Sequence, residues 1–384
     1  MRGTAAIDAT RPAEAVRHRI LFRDPFAYCA HPHIVAQPGG DLVMVFNRAP
    51  RRAFILHPPQ EPLFYNIVTR SSDGGESWTA PQVVPGYDWH GVECAGLTAL
   101  PGGDVLLNQW RFRWYPLDVA QKLPESETLS LPSSWGGALA RSPELDSGAA
   151  LEGRAEALAP WARGGGDAFV HRSADGGRTF ETMAQLDTSP FVGGYGMRGA
   201  AVLPDGGLVL PLSDVPAYRR VFVLRSGDCG RTWSKAIEAA ALDDCEFEEP
   251  APLTLPGGRI LMLLRENRSR RLWQVASDDG GLSWSRPEPT PIDGYPAHLL
   301  LLPGGRILCV YGHRKPDFSI RAVLSQDGGR SWDVERTTTI RGGLPNKDLG
   351  YPSSAPCADG TVLTVYYAQE EDGVTSIEAA WFRP

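Results

Sequence analysis

Tyr351, Glu249, Glu93, His31 and His33 share one place in a repeating pattern, five to nine residues ahead of a turn. Glu248, Tyr195, Arg198, Tyr295 and His298 occupy the same window in other repeats. The turns begin at Pro38, Pro101, Pro204, Pro256, Pro303 and, with alanine in place of proline, Ala358. Each turn joins two apolar runs, so residues this far ahead of it start the first strand of a hairpin. If the hairpins are set radially, those starts converge, and phenols, carboxylates, imidazoles and a guanidinium meet round one opening. Such a set can exchange protons and hold a polar ligand. Any single member also reads as a satisfied polar residue at a strand end. A polar entry in all six repeats at one offset is harder to read that way.

The ends of the second strands add Arg48, Arg111, Arg113, Arg219, Arg220, Arg265, Arg268 and Arg314 to the same side. The chain carries a formal net charge of −7, so arginines gathered at one mouth suggest an anionic ligand. The guanidinium fork pairs bidentately with a carboxylate. Solvated loop arginines account for part of such a set. The run WRFRWY (110–115) offers faces for sugar stacking or an anchor for the segment that follows.

Two recurring motifs must position these groups. Hairpins read QPGGDLVMVF (37–46), LPGGDVLLNQW (100–110), LPDGGLVLPL (203–212), LPGGRILMLL (255–264), LPGGRILCVY (302–311) and CADGTVLTVYY (357–367). Out of phase with them stand SSDGGESW (71–78), SADGGRTF (173–180), SGDCGRTW (226–233), SDDGGLSW (277–284) and SQDGGRSW (325–332). Here Ser and Asp side chains can bond the turn backbone, glycine takes positive φ and the aromatic residue packs between units. The expectation is an all-β fold, a six-bladed β-propeller of four-stranded blades, forming one domain over 1–384. The sixth blade lacks the Asp motif and ends on SIEAAWF (376–382), with HRILF (18–22) available to close the ring. Blade two carries an insertion over 116–166, read as a short helix and a flexible loop, and so as a lid or a subunit contact.

Composition narrows the classes. Among 384 residues, 42% are hydrophobic and 22% charged, and Gly 42 with Pro 33 favour turns and short strands. The acidic balance argues against nucleic acid. No apolar run approaches a membrane span, and the start shows no secretory h-region. A cytoplasmic protein is expected, with Cys29, Cys94, Cys229, Cys245, Cys309 and Cys357 as reduced thiols. No metal and no cofactor are expected, because the acidic residues show no ligand spacing.

Over residues 28–384 the five Asp boxes and six hairpins resemble the sialidase (neuraminidase) superfamily. More specific are GGYGMRGAAVLPDGGLVLPL (193–212) and EEPAPLTLPGGRILMLLREN (248–267). The second resembles the stretch bearing a catalytic Glu and, one hairpin later, an Arg that binds the substrate carboxylate, which implies Glu249 and Arg265. LGYPSS (349–354) resembles the segment of the nucleophilic tyrosine, implying Tyr351, and Arg314, or else Arg321, becomes a second carboxylate-binding arginine. The implied mechanism attacks the anomeric carbon with tyrosine while glutamate takes its proton.

Two departures stand out. The first-blade Arg-Ile-Pro of the family falls at Ala30-His31-Pro32, and the loop 48–65 offers only His57 and Glu61 where the family places its acid. The expected activity is removal of a terminal acidic sugar by an exo-glycosidase. One alternative is a lyase or other glycosidase on uronic-acid glycans, in which His31 or His33 with a tyrosine moves the proton α to a carboxylate neutralised by Arg265 and Arg314. The other is a glycan-binding propeller without catalysis.

Overall fold

The computed structural model describes residues 16–51, 61–84, 90–93, 95–124, 127–131, 160–181 and 184–384. Its strands form six antiparallel sheets, one per repeat. Blade one runs outward through Ala27–Ala36, Leu42–Pro50, Tyr65–Ser71 and Gln82–Val83. Blades three, four and five repeat this order from Ala201–Val202, Phe247–Thr254 and Ala297–Leu301. In blade two the inner strand is split into His90–Val92 and Gly96–Ala99, both paired with Val105–Pro116. Blade six takes Leu349–Pro356, Val362–Gln369 and Thr375–Phe382 from the end of the chain, and Arg17–Arg23 from its beginning as outermost strand. Ring closure by the N-terminal strand is therefore as expected.

Apolar residues fill the spaces between blades. One cluster joins Val209, Val221 and Val223 of blade three to Phe247, Ile260 and Met262 of blade four. The Asp boxes fasten the same seams. In the first box the Ser71 hydroxyl donates to Asp73 at 2.7 Å and accepts from the Gly75 amide at 2.9 Å. The Ser77 amide donates to Asp73 at 2.9 Å. The hydroxyl and amide of Ser77 and the Ser71 hydroxyl hold the Asp73 carboxyl down at about 2.

The second glycine of each box lies against the second strand of the preceding blade. A Cβ on Gly329 would stand 2.4 Å from Leu261, one on Gly230 2.5 Å from Leu106, and one on Gly75 2.6 Å from Leu363. These glycines also have positive φ, so both space and backbone demand glycine. The box is thus an inter-blade clasp, and its role is structural.

The insertion differs from expectation at its edges. WARGGG, read as flexible loop, belongs to the strand Trp161–Ser173, which pairs with Val105–Pro116 far beyond the length of the other blades. The pairing continues because WRFRWYP and WARGGGDAF keep an unbroken antiparallel register apart from one shift between Arg163 and Gly166. A single-turn helix, Leu117–Ala120, follows. Residues 132–159, which carry the expected helix and the lid reading, lie outside the described residues. No helix among the described residues is long and apolar enough to cross a membrane.

Candidate functional site

Three inner strands carry the same irregularity at the same place. Pairing slips by one residue between Ala30 and His33, between Glu248 and Ala251, and between Gly350 and Ser353. The residue at each bulge has left-handed backbone: His31 at φ 55°, Glu249 at φ 51° and Tyr351 at φ 50°. Each precedes a proline, Pro32, Pro250 or Pro352, which already disfavours the right-handed helical region for the residue before it. Positive φ in such residues costs about 1–3 kcal/mol and clusters at functional sites. A bulge re-aims one side chain away from the alternation of its strand. The split inner strand of blade two repeats the slip, since Val92 pairs Arg111 and Gly96 pairs Asn108, with Glu93 in the gap.

The re-aimed groups meet. The Tyr351 hydroxyl donates to the Glu249 carboxylate. The other oxygen of Glu249 accepts from Arg265 Nη1 at 3.0 Å. Arg265 Nε stands 3.2 Å from Glu248, and Asn267 Nδ2 donates to Glu248 at 2.8 Å. Burial opposes the charge on Arg265, but Glu249 and Glu248 more than offset it, and its pKa is raised well above the ordinary value. Burial, with repulsion from Glu249, pushes the Glu248 carboxyl up despite Arg265.

Arg314 completes one wall. Its Nε and Nη2 donate to the Leu349 carbonyl at 3.0 and 2.7 Å, and its guanidinium lies 5.3 Å from the Tyr351 ring. Tyr295 lies between the two arginines, 4.4 Å from Arg265 and 5.7 Å from Arg314. Arg314 has no carboxylate partner among the described residues. Asp348 braces it indirectly by accepting the hydroxyls of Tyr28 at 2.9 Å and Tyr367 at 3.0 Å, and Tyr367 touches Arg314.

His31 packs edge-on against Tyr351 at 4.3 Å and against Tyr367 at 5.1 Å. It holds the position where the resemblance led to an arginine. His33 and His298 form a separate pair, 5.6 Å apart. The Leu97 amide donates to His33 Nδ1 at 2.8 Å, and the Ser354 amide to His298 Nδ1 at 3.2 Å. Burial and the nearby Arg198 charge lower both imidazoles well below their usual value, so both are neutral. Arg198 spans blades, donating to the Ala297 and Pro352 carbonyls at 3.0 and 2.9 Å. This second group knits inner strands together.

The arginine ring divides. Arg48 is tied to Asp24 at 2.7 Å, Arg220 to Glu238 at 2.9 Å and Arg268 to Glu246 at 3.2 Å. Arg113 lies within 4.0 Å of Glu127 and 3.9 Å of Asp167. Arg321 pairs with Asp317. Of the expected set, Arg265 and Arg314 join the Tyr351 group. Glu61 is buried and caps its own turn, accepting the Leu63 amide at 3.1 Å; His57 lies outside the described residues.

Sequence reasoning missed Arg163 and Tyr218. Arg163, on the returning strand of the insertion, lies 5.5 Å over Trp110 and 5.7 Å over Phe112. Its charge acts on Glu93 and on the phenol of Tyr218. No metal-binding cluster of His, Cys, Asp and Glu occurs among the described residues.

Solved structures share the fold. A Dyadobacter fermentans protein of unknown function superposes with a TM-score of 0.79 at 22% identity, over 96% of this chain and 99% of its own. The intramolecular trans-sialidase of Ruminococcus gnavus gives 0.66 at 14%, covering 93% and 94%. An α-L-arabinanase from Penicillium chrysogenum gives 0.59 at 13%, covering 94% and 97%. At these identities the likeness establishes the propeller and not the chemistry. No curated protein matches the chain. The family model described as BNR repeat-like domain matches residues 157–364; that is more than half of the sequence, and the chain belongs to the BNR repeat-like domain family.

Proposed function

We propose that the protein is a sialidase-like glycoside hydrolase that releases a terminal acidic sugar. The observation that carries this reading is the hydrogen bond from the Tyr351 hydroxyl to the buried Glu249 carboxylate. A phenol is a poor nucleophile until its proton is taken, and a carboxylate already in contact can take it as the bond to carbon forms. In the first half-reaction Tyr351 Oη bonds to the anomeric carbon, Glu249 accepts the phenolic proton, and the glycosidic C–O bond breaks, the departing oxygen drawing a proton that the attacking water restores in the second half-reaction. In the second, water displaces the tyrosine, and Glu249 returns the proton to the phenolate. A tyrosine nucleophile is neutral before attack, so it meets an acidic sugar without the repulsion a carboxylate would bring.

Arg314 supports the acidic part of the substrate. It is a half-buried cation whose described partners are neutral oxygens, and a ligand carboxylate would supply the missing charge. Arg265 is already engaged by two glutamates and serves first to hold Glu249 in place beside Tyr351. The glycoside-hydrolase neighbours agree with this class of reaction.

The contact of His31 with Tyr351 favours a second reading, a lyase in which a His–Tyr pair moves the proton α to a carboxylate. Aryl glycosides of sialic and uronic acids, assayed with wild type and Tyr351→Phe, separate the two. Aryl release that disappears in Tyr351→Phe supports the hydrolase. An unsaturated product absorbing in the ultraviolet, with no hydrolytic release, overturns it in favour of the lyase.

A further inference from the structure

Glu93 comes from blade two, Glu249 from blade four and Tyr351 from blade six. Alternate blades of a six-membered ring place three residues at mutual thirds round the channel. Each lies at the same slip of its inner strand, and Glu93 stands near enough to Glu249 and Arg265 for their charges to act on it.

Glu93 is buried, and its Oε2 has no hydrogen-bond partner within the described structure. Its backbone is fixed on both sides: its amide donates to the Trp110 carbonyl at 3.2 Å, and its carbonyl accepts Asn66 Nδ2 at 3.1 Å. A buried carboxylate oxygen without a donor is costly as an anion but satisfied once a ligand or a proton reaches it.

We propose that Glu93 is the proton donor to the departing oxygen, acting across the channel from the Tyr351–Glu249 pair. This rests on the hydrolase reading above. As the glycosidic bond breaks, the Glu93 carboxyl proton passes to the leaving oxygen, which departs as an alcohol. The carboxylate left behind takes a proton from the water that attacks the anomeric carbon as the bond to Tyr351 breaks. Each group returns to its starting state.

The charges around Glu93 suit that role. Glu248 and Glu249 of blade four raise its pKa, Arg163 of blade two and Arg265 of blade four lower it, and Tyr218 of blade three faces it as a neutral phenol. Burial is the largest effect, and the balance puts the carboxyl at about 8. At neutral pH it holds its proton, as a general acid must. The loop acid of the resemblance is not needed, and Glu61 is occupied in its turn.

The test compares wild type, Glu93→Gln and Glu93→Asp on two glycosides of the sugar that wild type releases, one with a 4-nitrophenyl and one with an alkyl leaving group. Glu93→Gln is expected to lose about 10²–10⁴-fold in kcat/KM on the alkyl glycoside and little on the nitrophenyl one, which departs without a proton. It should also lose the alkaline limb of the pH profile near 8, and Glu93→Asp should recover part of the rate. Equal losses on both substrates, or none, overturn the proposal.

Infrared spectroscopy supplies a reading that needs no turnover. A protonated-carboxyl C=O band at pH 7, missing from Glu93→Gln, is expected, and its absence from wild type overturns the proposal. Tyr351→Phe reports on the parent reading separately. If it retains full activity while the Glu93 band is present, the hydrolase assignment has failed and this role falls with it.

Discussion

Tyr351 and Glu249 are 102 residues apart in sequence, and a hydrogen bond joins them across the channel from two inner strands that carry the same bulge. Neither would point there from a regular strand. Backbone strain at both positions is what the fold spends on that contact, and the adjoining prolines help to fix it.

Removing Arg265 should destabilise the protein. Its substitution by methionine leaves Glu248 and Glu249 buried without a countercharge, and breaking a buried pair costs roughly 3–5 kcal/mol. Thermal or denaturant unfolding of Arg265→Met measures this. Arg265→Met combined with Glu248→Gln should recover part of the loss, because one of the two stranded charges is then gone.

Replacing Arg314 by glutamine should weaken acidic substrates specifically. A hydrogen bond to a charged group is worth about 1.5–3 kcal/mol, or roughly 10–150-fold in kcat/KM. Kinetics on an acidic glycoside and on its carboxamide analogue check this: the acid should suffer and the amide should not.

Stability should fall on mild acidification. The folded-state pKa of His33 is depressed, so below the unfolded value of about 6.5 the unfolded chain binds a proton that the native state refuses. The contribution is intact above pH 6.5 and declines as pH drops through it, by up to about 1.4 kcal/mol per pH unit. Denaturant melts of wild type and His33→Asn between pH 5 and 8 test this. Asparagine can still accept the Leu97 amide, so the variant should show the shallower slope.

Gly329→Ala should cost about 1–3 kcal/mol, since the new Cβ meets Leu261 and the backbone stays at φ 84°. Activity per folded molecule should be unchanged, because the box lies at an inter-blade seam. Gly304→Ala is the control for turn geometry alone: φ is 81° there but no atom stands within 4 Å. It should cost less.

The sequence reports its repeats openly because each box and hairpin is local: the spacing of Ser71, Asp73 and Gly75 contains the whole turn. The offset that sets Tyr351, Glu249 and Glu93 at the starts of inner strands is local in the same way. Their proline neighbours were a further signal, since His31-Pro32, Glu249-Pro250 and Tyr351-Pro352 mark the three bulges. Arg163 was not legible, because it reaches the site only through the extended pairing of the insertion with WRFRWYP. The pairing of the other arginines is hidden for the opposite reason. Sequence offset cannot reveal that Arg48, Arg220 and Arg268 each find a carboxylate from another segment.

The most direct test of Tyr351 as nucleophile is to trap the covalent intermediate. An acidic sugar bearing fluorine beside the anomeric carbon and fluoride as leaving group forms the glycosyl-enzyme quickly and releases it slowly, because fluorine destabilises the oxocarbenium-like transition state. After incubation with such sugars, the intact mass should gain one sugar and peptide mapping should place it on Tyr351, with none in Tyr351→Phe. An adduct on another residue, or one that survives in Tyr351→Phe, would contradict it.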